Sequence, residues 1–369
     1  TSAYVGQAVA VAAALCKRQG VLPRALYEQG HMVQLQRELM KTGQHIPGLA
    51  LADDADLVAR ARLTASSTLA FSGFRRENLR WKSLDIGAAQ LVPLNAGAVP
   101  VFSLPVRASG NTALVVELRV SSRKGGFTPD TVLATESVAL APGMTDLQLD
   151  FKAVLEEAQY VFLTFLGNPE VQLPYTDQRI TGLLSVFNGV NKKVSNNGYQ
   201  QPPVGSGVDE FEFWCPQRRP EGQNIAIALA DPQLAFEPDN IRNGVDRPVT
   251  GPNAWVADPN DADPHVSLQW DTPETISRIV LVFDTDADHA MESVLMTHPE
   301  RVMPFCVRNY RIADAAGNVI YRKTDNYQTR NIIVLNEPVT TDKLTIHVGH
   351  PSDDVPAALF AIRCYGGVQ

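Results

Sequence analysis

From Thr1 to about position 60 the apolar residues of this chain recur at helical spacing. From about Leu63 onward they come as short runs or alternations separated by Gly, Pro, Asn and Asp. Thr1 to Cys16 is rich in Ala and Val and reads as one helix with a small-residue face, because Ala favours helix and lets neighbours approach closely. Pro23 stands where a second helix would begin, a position at which its missing N–H costs little. Val33, Leu35, Leu39 and Met40 give the later part an apolar face, Gly43 ends it, and Ile46-Pro47-Gly48 makes a turn. Asp53 to Ala61 adds a short helical turn.

Beyond Leu63, the runs at 113–120, 146–151 and 160–165 predict strands, and the alternation through Asp146-Leu147-Gln148-Leu149 predicts one half-buried strand. Residues 216–222, rich in Pro, Arg and Gly, read as a linker. A second block of strands is predicted at 266–270, 277–283, 308–312, 330–335, 343–348 and 358–365. The expected fold class is mainly β with a short N-terminal helical segment and two antiparallel β-sandwiches. The expected domains are 1–62, helical; 63–222, a β-sandwich; and 223–369, a second sandwich.

Composition narrows the function classes. The chain has 369 residues, enough for two or three domains, and a formal charge of −8, which argues against a general nucleic-acid footprint. No apolar run approaches the roughly 20 residues a membrane span needs, and no basic stretch precedes the first apolar run as in a signal peptide. The absence of an initiator Met implies processing, an artificial boundary of the sequence, or a separate upstream chain. Cys16, Cys215, Cys306 and Cys364 are too far apart for a CxxC zinc site and read as free thiols, which favours a reducing, cytoplasmic compartment over a periplasmic or secreted one.

The run Ser2-Ala-Tyr-Val-Gly6-Gln7-Ala8 resembles the closing flavin-binding segment of FAD-dependent oxidoreductases of the two-dinucleotide-binding-domain type. In that family a Thr/Ser–x–x–x–Gly-Gln-Ala run starts the last helix of the FAD domain. The resemblance implies that the amides of Val5, Gly6, Gln7 and Ala8, with the hydroxyls of Thr1 and Ser2, face the flavin. A helix N-terminus there would stabilise negative charge on the reduced ring. The competing reading is an ordinary helix cap at Ser2 or Gly6. Ala10 departs from the family, where Gly is frequent. The Gly-rich pyrophosphate loop is absent from the sequence, so an upstream FAD- and substrate-binding polypeptide is the implied partner. The catalytic acid or base would lie there. An N-terminal Thr nucleophile is a further reading, but such hydrolases need the Thr to lead a strand, and here it leads a helix.

Asn240 to Pro248, then Trp255, then Val266-Ser-Leu-Gln-Trp270 resembles the opening of discoidin-like, galactose-binding-type jelly rolls, and Phe360 to Tyr365 resembles their closing strand. Phe283 to Glu300 and Met303 to Ile312 resemble the C-terminal region of a bacterial group of FAD-dependent oxidoreductases. Together these imply the C-terminal portion of such an enzyme, taking hydride from a hydroxylated, carbohydrate-like substrate. The alternative is a non-catalytic carbohydrate- or protein-binding sandwich, and a purely structural oligomerisation role is the third reading.

Three further constellations carry chemistry. Asp284, Asp286, Asp288, His289, Glu292, His298 and Glu300 form the densest polar cluster, suited to Ca²⁺ through Asp-x-Asp-x-Asp or to a transition metal through His289 and Glu292; an interdomain or active-site-facing loop is a second reading, and acids that cap turns and pair with Arg301, Arg308 or Arg311 are the plain one. Asn240, Asn243 and Asp246 match the place where discoidin-like modules hold a structural calcium, with Asn243 where Asp is frequent. Trp255 is a candidate sugar-stacking aromatic, against the commoner role of core packing.

Overall fold

The computed structural model describes residues 2–188, 199–200, 211–212, 214–216, 223–286, 303 and 305–367. Three helices open the chain: α1 (Ser2–Gln19), α2 (Pro23–Glu28) and α3 (Met32–Lys41). Pro23 occupies the first turn of α2. Leu15, Cys16, Leu26, Leu35 and Leu39 form a small core of their own. Leu35 and Leu39 stand four apart and so share one helix face, whereas Val33, expected on that face, is 65% exposed. Gly43 follows the end of α3 at φ 96, a conformation open to glycine. Asp56 then caps a 3₁₀ turn, Leu57–Arg60, by accepting a hydrogen bond from the Val58 N–H at 3.0 Å.

Among the described residues the remaining regular structure is β, apart from a second 3₁₀ turn at Pro238–Arg242. One sandwich stacks a six-stranded sheet, running from the strand Cys215–Pro216 through Ala88–Leu94 to Thr131–Leu140, against a seven-stranded sheet centred on Phe102–Ala108 and Asn168–Thr176. All seven residues of Ala88–Leu94 are buried, as a central strand covered on both faces requires. Leu147 and Leu149 point inward while Asp146 and Gln148 point out, the predicted alternation. Gln90, fully buried, accepts from the Ile225 N–H at 2.8 Å and donates to the Asn224 side chain at 3.0 Å, fastening one sheet to the other.

The second sandwich is built on one antiparallel pair, His265–Val282 with Arg330–Val348. Arg62–Ala65 and Ala361–Tyr365 flank the first of these, and Tyr310–Ala313 followed by Val319–Lys323 extends from the second. Sequence pattern splits each long strand in two. In the structure each is continuous, because register shifts between Gln269/Glu274 and Ile276/Arg278 absorb the polar interruption without ending the pairing. Trp255–Val256 pairs with Ala358–Leu359 beside it.

Pairing also moves both expected domain boundaries. Arg62–Ala65 is a strand of the second sandwich, and Leu57 and Val58 lie in its core. Asn224–Ile225 and Ala228–Gln233 belong to the first. The first sandwich is therefore inserted into the second, which the chain enters, leaves and re-enters. The two share apolar packing: Val282, Phe360, Ala361 and Tyr365 join the core of the first.

Candidate binding cleft

A cleft of about 350 Å³ opens where the segment after α3 meets the second sandwich. Its walls come from residues 42–51, from the loop 244–248, from the end of His265–Val282 and from the start of Arg330–Val348. A backbone clamp holds the first two walls together. The Leu51 N–H donates to the Gly244 carbonyl at 2.9 Å, and Gly244 sits at φ 80 with Leu51 so close that a Cβ would lie 2.5 Å from its carbonyl oxygen. Only glycine meets both demands.

Asp246 anchors the floor. Arg330 reaches it with Nη2 at 2.6 Å, and the Arg363 guanidinium pairs with both of its oxygens. Arg363 rises from the closing strand Ala361–Tyr365, whose five residues are all buried, so its charge needs this partner. Ile46, Leu49, Leu51 and Phe360 add apolar surface, and Tyr4 of α1 reaches the rim. The His45 imidazole is held below its ordinary pKa by burial and then by the Arg247 charge, which keeps it neutral at pH 7. Such an arrangement offers fixed donors and acceptors beside apolar surface, the usual makeup of a small-ligand site.

The sequence-derived candidates distribute unevenly around this cleft. Asp246 and Asp284 line it. Asp284 is 3% exposed and accepts from the Asp286 N–H at 2.6 Å, the turn-capping role. Thr1, Asp288, His289, Glu292, His298 and Glu300 lie outside the described residues. Trp255 is fully buried and donates its Nε1–H to the Ser67 carbonyl at 2.9 Å, so it presents no ring face to a sugar.

The calcium expectation at Asn240, Asn243 and Asp246 does not fit the residues found there. Asn240 turns its amide N–H groups to the carbonyls of Ala235 and Ala254, Asn243 Oδ1 accepts from the Val245 N–H, and Asp246 already holds two guanidinium groups. Those charges would repel a divalent ion. The flavin expectation fares similarly on this chain's own groups. Because α1 runs from Ser2, the amides of Gly6, Gln7 and Ala8 lie within its hydrogen-bonded ladder. Gln7 is spent on structure: its Nε2 donates to Thr42 Oγ1 at 2.8 Å, and its Oε1 accepts from Gln44 at 2.9 Å.

Arg330 and Arg363 escaped sequence reasoning. For Arg363 the signal is a charged side chain inside an otherwise apolar strand, which announces a buried partner without naming it; Arg330 opens a strand of mixed polarity and carries no such signal. None of the four cysteines is in a disulfide; Cys364 lies on the closing strand and Cys306 in a loop. Among the described residues no helix is long and apolar enough to cross a membrane.

No family model matches the chain, and no curated protein matches it. Among solved structures, the family 32 carbohydrate-binding module from Streptococcus pneumoniae EndoD is similar at 16% identity over 36% of this chain and 87% of that one, with a TM-score of 0.28. Chitosan-binding module 1 from the chitosanase/glucanase of Paenibacillus sp. IK-5 is similar at 14% identity over 36% and 86%, with a TM-score of 0.25. The family 32 module of C. perfringens NanJ, solved in complex with galactose, is similar at 13% identity over 31% and 76%, with a TM-score of 0.23. Similarity at this level fixes neither ligand nor activity. The assignment of this chain as mainly β rests on its own strand pairing.

Proposed function

We propose that this chain is a binding module for a polyhydroxylated ligand, a carbohydrate, held in the cleft over Asp246. The observation that carries this reading is Asp246 gripped between Arg330 and Arg363 on the floor of an open cleft. Adjacent hydroxyls on a sugar ring each donate and accept, so they match a surface that sets carboxylate, guanidinium and imidazole groups side by side in fixed positions. The apolar patches from Ile46, Leu49 and Leu51 suit the C–H face of such a ring.

The test is titration of the full chain with a panel of neutral, amino and acidic saccharides, followed by NMR and calorimetry. Saturable binding is expected for at least one saccharide, with shifts centred on residues 44–51 and 244–248. Arg247→Ala removes a charged donor from the wall without touching the Asp246 pairs, and is expected to weaken binding by roughly tenfold, the size of one charge-assisted hydrogen bond. Absence of saturable binding across the panel, or binding centred elsewhere, overturns the assignment.

A further inference from the structure

His265 and His347 stand directly opposite each other in the antiparallel register. The N–H of His265 goes to Ser66 Oγ at 2.9 Å and its carbonyl accepts from the Ser66 N–H at 2.9 Å, both on the side away from His347. The two histidines therefore form a non-hydrogen-bonded pair, the geometry in which cross-strand side chains come closest. Their ring centroids are 4.9 Å apart, tilted by 36°.

Asp263 orients both rings. Its carbonyl lies 2.8 Å from His265 Nδ1 and its carboxylate 3.0 Å from His347 Nδ1. A carbonyl only accepts, so His265 Nδ1 carries the proton and the lone pair of the neutral ring is on Nε2. A metal-binding imidazole is set up in this way, with one nitrogen held by an oxygen and the other left to coordinate. One nitrogen from each ring and one Asp263 oxygen lie within 4.8 Å of one another. A cation already touches the group: Arg311 Nη2 is 2.9 Å from His347 Nδ1 and 3.3 Å from both Asp263 oxygens.

We infer that His265 and His347, with Asp263, form a binding site for a divalent transition ion of the zinc type, and that the Arg311 guanidinium is its competitor. Two imidazoles and one carboxylate suit Zn²⁺, Ni²⁺ or Cu²⁺ and suit Ca²⁺ or Mg²⁺ poorly. Both rings stand on paired strands rather than loops, which holds the two imidazoles side by side. Neighbouring histidine nitrogens are otherwise engaged: His350 accepts from the Ala357 N–H at its Nδ1 and donates Nε2–H to the Asp261 carbonyl.

The experiment is titration of the full chain with Zn²⁺ alone, followed by calorimetry and by NMR of the imidazole nitrogens, with Mg²⁺ as the negative control. Saturable zinc binding is expected, with the nitrogens of His265 and His347 shifting together. His347→Ala is expected to weaken it at least about tenfold, and Arg311→Met to strengthen it. If His347→Ala unfolds, the wild-type imidazole spectrum alone decides which nitrogens take the ion. No imidazole shift with Zn²⁺, binding that survives the loss of both histidines, or equal response to Mg²⁺ overturns the inference.

Discussion

Asp246 and Asp263 sit by opposite ends of the same strand pair, His265–Val282 with Arg330–Val348, and both are gripped by cations. Their surroundings differ. The Asp246 side chain is 19% exposed and its partners Arg330 and Arg363 are 16% and 6% exposed. The Asp263 side chain is 55% exposed and Arg311 is 39% exposed. The same chemistry thus serves two ends. Where access to water is limited, removing one partner leaves a poorly solvated charge, so the pairing fixes the loop 244–248 and the floor of the cleft. Where water reaches, partners exchange at little cost, and the carboxylate is free to trade a guanidinium for another cation.

The largest effect should come from Asp246→Ala, which leaves two guanidinium groups facing each other in a confined space. Unfolding in urea should show a loss of about 3 kcal/mol, within the range for breaking a buried ion pair. Asp246→Asn keeps hydrogen-bond acceptance but removes the charge, so it should fall between the two. A loss under about 1 kcal/mol for Asp246→Ala would erase the contrast between the two ends.

A third carboxylate sharpens the comparison by having hydrogen bonds more than a cation. Asp56 is pushed up to about 6, chiefly by burial, against the lowering effect of N–H bonds from Cys364 and Val58 and of the Arg363 charge. Its folded-state value lies above the unfolded one, so the folded protein takes up a proton first. The associated stability is fully present below about pH 4 and is lost as pH rises through about 6. Asp56→Asn, which keeps the accepting Oδ1, should flatten this slope and stabilise the protein at pH 7 by up to about 3 kcal/mol. Chemical unfolding at pH 4, 5, 6 and 7 reads it directly. A slope unchanged by the substitution would assign the effect to other groups.

Trp255 tests the core of the second sandwich. Its indole is fully buried and bonded to the Ser67 carbonyl, so Trp255→Phe loses one hydrogen bond and part of the ring volume. A loss of roughly 1–3 kcal/mol is expected with saccharide binding unchanged. Loss of saccharide binding with stability intact would return this residue to the ligand.

How much of this was legible in the sequence follows from range. Alternation around Leu147 and Leu149, the apolar run at 160–165, and Pro23 at the start of α2 are local signals, and the elements they predict are present. The features on which the discoidin resemblance rests also fall in order within one sandwich: the 3₁₀ turn at Pro238–Arg242, the Trp255 strand and the closing strand. Long-range pairing was not legible. Nothing near Arg62 says that it pairs with Gln269, and nothing near Asp246 says that its partners lie 84 and 117 positions away. The clefts and clusters of this molecule are made by such distant pairings, which is why the site residues were harder to read than the strands.

The smallest expected effect lies at the exposed end. Asp263→Ala breaks the pairing with Arg311 and His347, but the Arg311 charge left behind is 39% exposed, so unfolding in urea should show a loss below about 1 kcal/mol. The residual effect should shrink further in roughly 1 M salt, where the screening length is about 3 Å, while the Asp246→Ala loss should persist because its partners are shielded from ions. The salt response therefore separates the two ends even if their magnitudes overlap. Should Asp263→Ala instead cost as much as Asp246→Ala and resist salt, the strand ends would be equivalent structural clamps. An Asp263 locked in that way could not release Arg311 for an incoming metal ion, and the zinc titration would then be expected to fail for the same physical reason.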